Sequence, residues 1–372
     1  MDTLTNLVFL ARYVEREPGF IVGPIASLFG HVINALFIVV FNVFGSAHSL
    51  GITIILMTIV FRAVMMPLSI KSQKSMMRMR ELKPELDKIQ AKYGNSKDPE
   101  IVKKMNQEKQ VLMQKHDANP LKGCLPMLLQ MPLFIGLNFI MRQAFRYITY
   151  LRELYIELAE ALQAVPGYIE LLRPIALDLL PNAIRNNNQE VGNLLAQGVS
   201  FETARDMVGD VISVEIPWDL ARVINSFTGE TWEYIRNYLI NNNLESFLPE
   251  IERLNVYRHG IESFLGLSMV EQGGWGWPGI LLPLLTVITM LMSQWLSQQR
   301  MYDPNADEKV MMQQKIMLVV MPLFMGFITV SMPGGVALFW ITSQVFQIVQ
   351  DLIWCKKDNI KIRLPFASKD LS

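Results

Sequence analysis

Arg62 stands in the stretch TIVFRAVMMPLSIK (58–71), inside an apolar run from Leu50 to Ile70. A run of about twenty apolar residues matches the ~30 Å hydrocarbon core of a bilayer. A guanidinium near the middle of such a span costs roughly 2.5–3.5 kcal/mol on insertion scales, so something must solvate it. The usual rescue is a buried carboxylate, yet the one acid in any apolar span is Asp351, near the end of the last. The other spans offer neutral groups instead. Thr58 lies one turn before Arg62 on the same face, and Gln130 and Asn138 lie about two turns apart on a second span. Thr286, Thr289, Ser293 and Ser297 form a stripe on a third, and Trp340, Gln344, Gln347 and Asp351 form one on the last. A single stripe reads as interhelical hydrogen bonding, worth ~0.6 kcal/mol per bond on average. Several stripes beside an arginine without an acidic mate at its depth predict a hydrated, positively charged groove. Its chemistry is attraction of acidic or polar peptide, with no bond made or broken. The four histidines (His31, His48, His116, His259) are scattered, and no His/Cys/Asp spacing suggests a metal site or a nucleophile with its base. No enzyme activity, metal or cofactor is expected, and His48 reads as incidental.

The elements that must hold this groove follow from composition. The chain has 372 residues, 51% hydrophobic and 18% charged, with a mean hydropathy of +0.25. Soluble domains carry roughly 25% charge, so these values point to an all-α polytopic membrane protein. The expected order is an N-terminal segment (1–20), an interfacial amphipathic helix or extra span (21–45) and a first core span (46–70). A cytoplasmic helical hairpin (71–118), a second span (119–142) and an extracytoplasmic helical stretch (143–275) follow. A third span (276–298), a cytoplasmic loop (299–315), a fourth and fifth span joined by SMPGG (316–354) and a basic tail (355–372) complete the chain. Gly23, Pro24, His31, Asn34 and Asn42 dilute the 21–45 run, which favours the interfacial reading. A signal peptide is not expected, because Asp2 precedes any base and no small-residue cleavage site follows the apolar run.

Charge sets the orientation. All 17 lysines lie in 71–122 or 309–369, whereas 143–275 holds 9 arginines against 18 acids. Lysine-rich short loops stay cytoplasmic, so the hairpin, the 299–315 loop and the C-terminus are placed inside and 143–275 outside. Arg142 and Arg146 run against that rule. Cys124 and Cys355 both fall at the inner membrane edge, where they would be reduced. In the hairpin, Met79, Leu82, Leu86, Ile89 and Tyr93 recur at coiled-coil spacing. Asp98 and Pro99 then read as the N-cap and first residue of a second helix with Ile101, Met105 and Leu112 inward. In 143–275, leucine-rich patches near 151–163 and 169–180 and asparagine-rich breaks at 186–188 and 241–243 suggest helices. Trp275 and Trp277 fit an interfacial anchor. The fourth span holds about 15 strictly apolar residues, short enough to thin a bilayer.

Three runs carry a family resemblance: GITIILMTIVFRAVMMPLSIKSQKSMMRMRELKPELDKIQ, NPLKGCLPMLLQMPLFIGL, and DPNADEKVMMQQKIMLVVMPLFMGF with PGGVALFWITSQVFQIVQ. Over about 50–142 and 276–355 the chain closely resembles the YidC/Oxa/Alb membrane protein insertases. The resemblance implies a five-helix insertase core with a groove open to cytoplasm and lipid but sealed outside, preceded by an interfacial helix. The family's arginine falls on Arg62, its threonine on Thr58, and its aromatic groove contact on Phe339 or Trp340. The chain shows neither the large periplasmic domain of Gram-negative members nor a lipoprotein cysteine, and about 130 residues stand where a short link is usual. The architecture looks Gram-positive, Firmicute-like.

The implied function is insertion and chaperoning of nascent membrane proteins in the cell membrane, alone or with the Sec translocon, by a chain that acts as a monomer. Met76, Met77 and Met79, with Arg78 and Arg80, would meet the ribosome near the 23S rRNA at the exit tunnel, and the bilayer itself is a partner. The competing reading is a secondary transporter or channel for a small solute. It normally shows repeated halves and a titratable carboxylate, and repeats are not visible here.

Overall fold

The computed structural model describes residues 22–94, 98–116, 118, 120–168, 170–172, 175, 220–221, 223–301 and 308–357, with the side chains of 22, 80, 120–129, 299–301 and 308–317 outside that description. The expected segment 1–20, the Arg80, Lys122 and Cys124 side chains, the leucine-rich patch beyond 175, the 186–188 break and the tail beyond Lys357 therefore lie outside the described residues.

Apolar runs become helices because a bilayer offers backbone groups no partners except one another. The helices are α1 (Val22–Phe44), α2 (Ser49–Glu81), α3 (Lys83–Tyr93), α4 (Pro99–Lys115), α5 (Pro120–Arg142), α6 (Ala144–Tyr147), α7 (Thr149–Gln163), α8 (Gly229–Asn241), α9 (Leu248–Glu262), α10 (Leu281–Met301), α11 (Glu308–Val330) and α12 (Gly334–Lys357). A short antiparallel hairpin, β1 (Ser263–Phe264) and β2 (Leu267–Ser268), interrupts them. Segments of α1, α2, α10 and α12 are long and apolar enough to cross a membrane, and Leu318–Val330 is a shorter apolar helix. The chain is an all-α polytopic membrane protein. Several helices overrun the edges that hydropathy suggested. α2 continues to Glu81 through Pro67, and α11 starts at Glu308, inside the expected loop, and runs through Pro322. A membrane boundary changes the solvent around a helix, whereas its backbone ladder needs a breaker to stop.

Two compact bodies emerge, the first built from the chain up to Thr53 with Phe139–Val270, the second from Ile54–Asn138 with the chain from Glu271 onward. In the first body α1 buries Ala26, Ile33, Phe37 and Val40 along one edge. Asn34 caps α7: its Oδ1 accepts from the Thr149 N–H at 3.0 Å while its Nδ2 donates to the Thr149 hydroxyl at 3.2 Å. Phe41 lies against Tyr150 with ring centroids 4.2 Å apart. Burial, reinforced by a 2.8 Å hydroxyl contact with Tyr257, pushes the Tyr150 phenol up to about 12. α7 packs on α9 around one buried polar knot. Tyr155 donates to Glu262 Oε1 at 2.8 Å, and Arg258 Nη1 donates to Glu262 Oε2 at 2.9 Å and to the Tyr155 oxygen at 3.0 Å. Its remaining nitrogens reach Asn255 Oδ1, and its guanidinium lies 5.6 Å from the Trp232 ring. The break foreseen at 241–243 is present, with Asn242 as the α8 C-cap and Asn243 at φ 57°.

In the second body α10 packs against both α11 and α12. Gly326 makes the α10–α11 approach close, since a Cβ there would collide with Val287 Cγ2. The α3–α4 hairpin carries the expected seam: Leu82 is buried, and Met79, Leu86, Ile89, Tyr93, Ile101, Met105 and Leu112 are half-buried. Asp98 caps α4 by accepting the Glu100 N–H at 2.9 Å, with Pro99 at the first helical position. Lys92 holds Glu108 at 3.0 Å and keeps its carboxyl below the usual range. Glu271 O accepts from Gly334 N and Val330 O from Gly274 N, which ties the chain before α10 to the α11–α12 turn. Trp275 and Trp277 project there, 68% and 79% exposed.

The polar knot is the test of the first body. Arg258→Ala strands the Glu262 carboxylate in a dry core, and breaking a buried pair in this way costs ~3–5 kcal/mol. Arg253→Ala, on a solvated pair with Glu250, leaves the thermal midpoint in detergent where it was. Equal effects of the two substitutions would contradict the knot.

Candidate functional site

α2 turns one edge inward and the other outward. Ile54, Met57 and Thr58 are buried, while Ile59, Val60 and Val64 are 41–70% exposed. Arg62 falls on the inner side, half-buried, one turn beyond Thr58. Its Nε is buried with no hydrogen-bond partner, and no ion pair reaches the guanidinium among the described residues. Thr58 makes no hydrogen bond to it: the Thr58 hydroxyl donates to Ile54 O at 2.6 Å and keeps its lone pairs free.

The same economy holds on α10, whose inner stripe is the one spacing foresaw. Thr286 and Ser293 are buried, and Thr289 is half-buried. Thr286 donates to Leu282 O at 2.8 Å and Thr289 to Leu285 O at 2.7 Å. Leu284, Leu285, Ile288 and Met292 face outward. A threonine whose proton is spent on its own helix keeps lone pairs free, so it presents an acceptor. The inner sides of α2 and α10 therefore offer the Arg62 cation and several acceptor oxygens.

On α5, Gln130 and Asn138 are half-buried, and Asn138 Oδ1 is sealed from solvent without a hydrogen-bond partner. On α12, Trp340 is 9% exposed and lies flat on Phe134 of α5, centroids 4.8 Å apart at 5°. That stack brings two expected lining elements together. Phe339, the other aromatic candidate, is buried at 2%. Gln344 is half-buried. Gln347 and Ser297 are drawn to Asp351: the Gln347 amide donates to Asp351 Oδ2 at 3.1 Å, and the Ser297 hydroxyl donates to the same oxygen. The acid is thus engaged by neutral donors from α10 and α12.

Sequence reasoning passed over Ser343 and Gln350, whose Oγ and Nε2 are buried and without partners. Their positions beside Gln344 and Asp351 continue the same stripe, which was the available signal. His48 was expected to be incidental. The structure corrects this, since its N–H donates to Gly260 O at 3.0 Å and its Nδ1 lies 3.1 Å from Ser263 O. Sequence separation, not residue type, hid that role. Of the expected cytoplasmic contacts, Met76 and Arg78 are exposed and Met77 and Met79 half-buried, all on the last turns of α2.

Comparison with known proteins decides the family. The 60Kd inner membrane protein family matches residues 40–175 and 227–361. The chain belongs to that family. The family match reaches further into 143–275 than the motifs above did, leaving 176–226 outside it. A membrane protein insertase YidC of Oceanobacillus iheyensis is 24% identical over 327 residues, covering 88% of this chain and 82% of that protein. The Clostridium perfringens protein of the same name is 38% identical over 122 residues, 32% of this chain and 49% of its own length. The one from Anaeromyxobacter dehalogenans is 42% identical over 115 residues, 31% of this chain. That alignment spans a fifth of the relative's length.

Asp351 gives a direct check on the α10–α12 contact. Ser297→Ala removes a hydrogen bond to a charged group, worth ~1.5–3 kcal/mol. Thermal unfolding in detergent is expected to shift down for Ser297→Ala and to stay unchanged for Ser331→Ala on the exposed turn. No shift for Ser297→Ala would separate the serine from the carboxylate.

Proposed function

We propose that this chain is a membrane protein insertase that passes nascent integral membrane proteins into the bilayer through a positively charged groove lined by α2, α5, α10 and α12. The observation that carries the reading is the Arg62 guanidinium, set in an apolar helix with a buried, unpartnered Nε. Membership of the family and the insertase names of the relatives support it.

A guanidinium without a protein anion is poised to receive one from a passenger. An acidic residue in a short passenger segment is attracted to Arg62, while backbone N–H groups find the acceptor oxygens of Thr58, Thr286 and Thr289. Gln130, Asn138, Ser293, Gln344 and Gln347 extend the polar lining, and Trp340 offers an amphipathic rim. The passenger's apolar helix then leaves sideways into lipid, driven by removal of its surface from water. The short apolar stretch of α11, Leu318–Val330, lowers the distance to be crossed. The last turns of α2, with Met76, Met77 and Met79 as adaptable contacts and Arg78 and Arg80 as charges, face the cytoplasm with the α3–α4 hairpin and receive the ribosome. The 143–275 stretch lies on the opposite side. The chain works as a monomer, alone or beside the Sec translocon, with no catalytic step.

Attraction predicts a charge-specific outcome. In a strain depleted of its own insertase, Arg62→Ala is expected to slow insertion of an acid-tailed passenger by about tenfold, the effect of ~1.4 kcal/mol on a barrier. Arg62→Lys retains most of the rate, and a passenger with a neutral tail is less sensitive to either change. Wild-type insertion by Arg62→Ala would remove electrostatic attraction from the mechanism.

A further inference from the structure

The residues ahead of the Arg62 helix are held by the end of α9 and its hairpin. His48 precedes α2 with φ 63°, a left-handed conformation uncommon outside glycine. Its N–H donates to Gly260 O at 3.0 Å, its ring Nδ1 lies 3.1 Å from Ser263 O, and its ring meets Phe264 edge-on at 5.9 Å. One helical turn on, Gly51 is buried against the same phenylalanine, and a Cβ there would fall 2.5 Å from three Phe264 side-chain atoms. Only glycine lets the Phe264 side chain sit this close to the α2 backbone.

The receiving side is itself stiff. Ser263 follows Glu262, which Arg258 and Tyr155 fix in the polar knot, and Glu262 O accepts from Met269 N at 2.8 Å across the hairpin. Leu265 and Gly266, at φ 51° and 78°, close that hairpin in two residues, the geometry that suits strand twist. All these contacts lie within the first body. From Ser49 the helix continues without interruption past Arg62, so at ~1.5 Å rise per residue the guanidinium sits about 20 Å along the same rod.

We infer that His48, Gly51 and Phe264 form a brace that fixes the rotation and depth of the Arg62 helix, and that this is a task of the 143–275 stretch. They are positioning residues that touch no passenger. The inference rests on the groove reading above. It departs from a passive role for 143–275, in which α2 would be set by its membrane contacts alone.

The test separates the two readings. A chain carrying Cys124→Ser, Cys355→Ala and Arg62→Cys is exposed to a membrane-impermeant maleimide in inside-out vesicles, and the labelling rate is measured. Into this background go Gly51→Leu, which collides with Phe264, and His48→Asn, which tolerates the left-handed backbone but shortens the ring's reach. Leu265→Asn, at the exposed hairpin tip, is the control. Each of the first two is expected to change the rate about fivefold, the population shift that loss of one net hydrogen bond brings, and Leu265→Asn leaves it unchanged. If Gly51→Leu fails to accumulate, the milder His48→Asn carries the measurement. An unlabelled reference chain overturns the hydrated groove and the brace together. A labelled reference whose rate ignores both substitutions, or follows Leu265→Asn equally, overturns the brace alone.

Discussion

A guanidinium inside a bilayer must be neutralised, hydrated or expelled, and among the described residues no acid pairs with Arg62. Asp351, near the end of α12, already accepts from Ser297 and Gln347 and joins α10 to α12. The Arg62 Nε lies on the inner side of α2, buried and without a hydrogen-bond partner. Such a group is expensive to maintain without a use. Everything else in the second body is consistent with leaving it accessible: lining hydroxyls look after their own protons, and outward faces are left to leucine, isoleucine and valine.

That division explains how a polar interior coexists with a stable membrane fold. Thr58, Thr286, Thr289 and Thr329 each donate to a carbonyl three or four residues back. No second helix is needed to satisfy them, so they cost little on a surface that must stay open. Tight packing is concentrated elsewhere, at Gly326 on Val287, at the Phe134–Trp340 stack and at the tied α11–α12 turn.

Much of this was legible in the sequence, for reasons of period and composition. Helical spacing placed the α10 stripe on its buried side, and the Asp98–Pro99 pair marked the start of α4. The hairpin seam at Met79, Leu82, Leu86, Ile89 and Tyr93 emerged as the less exposed edge. What spacing could not show were contacts between distant residues. Asn34, expected only to dilute an apolar run, caps a helix 115 positions away. His48, expected to be incidental, bonds across 215 positions. The Arg258–Glu262 pair is visible at i, i+4, but its third member, Tyr155, is not. Helix ends lie beyond the expected span edges for a different reason: hydropathy reports the surrounding medium, and α2 and α11 carry their backbone ladders past it.

The continuity of α2 has an evolutionary corollary. A single inserted residue between positions 50 and 60 would advance Arg62 by ~1.5 Å and swing it through about 100° around the axis. That would carry the charge toward the side where Val60 and Val64 lie exposed. Substitutions along this helix are graded in their cost, whereas a change in its length is all or nothing. The stretch from Ser49 to Arg62 lies inside the first matched segment of the family, 40–175, whereas 176–226 lie outside both segments.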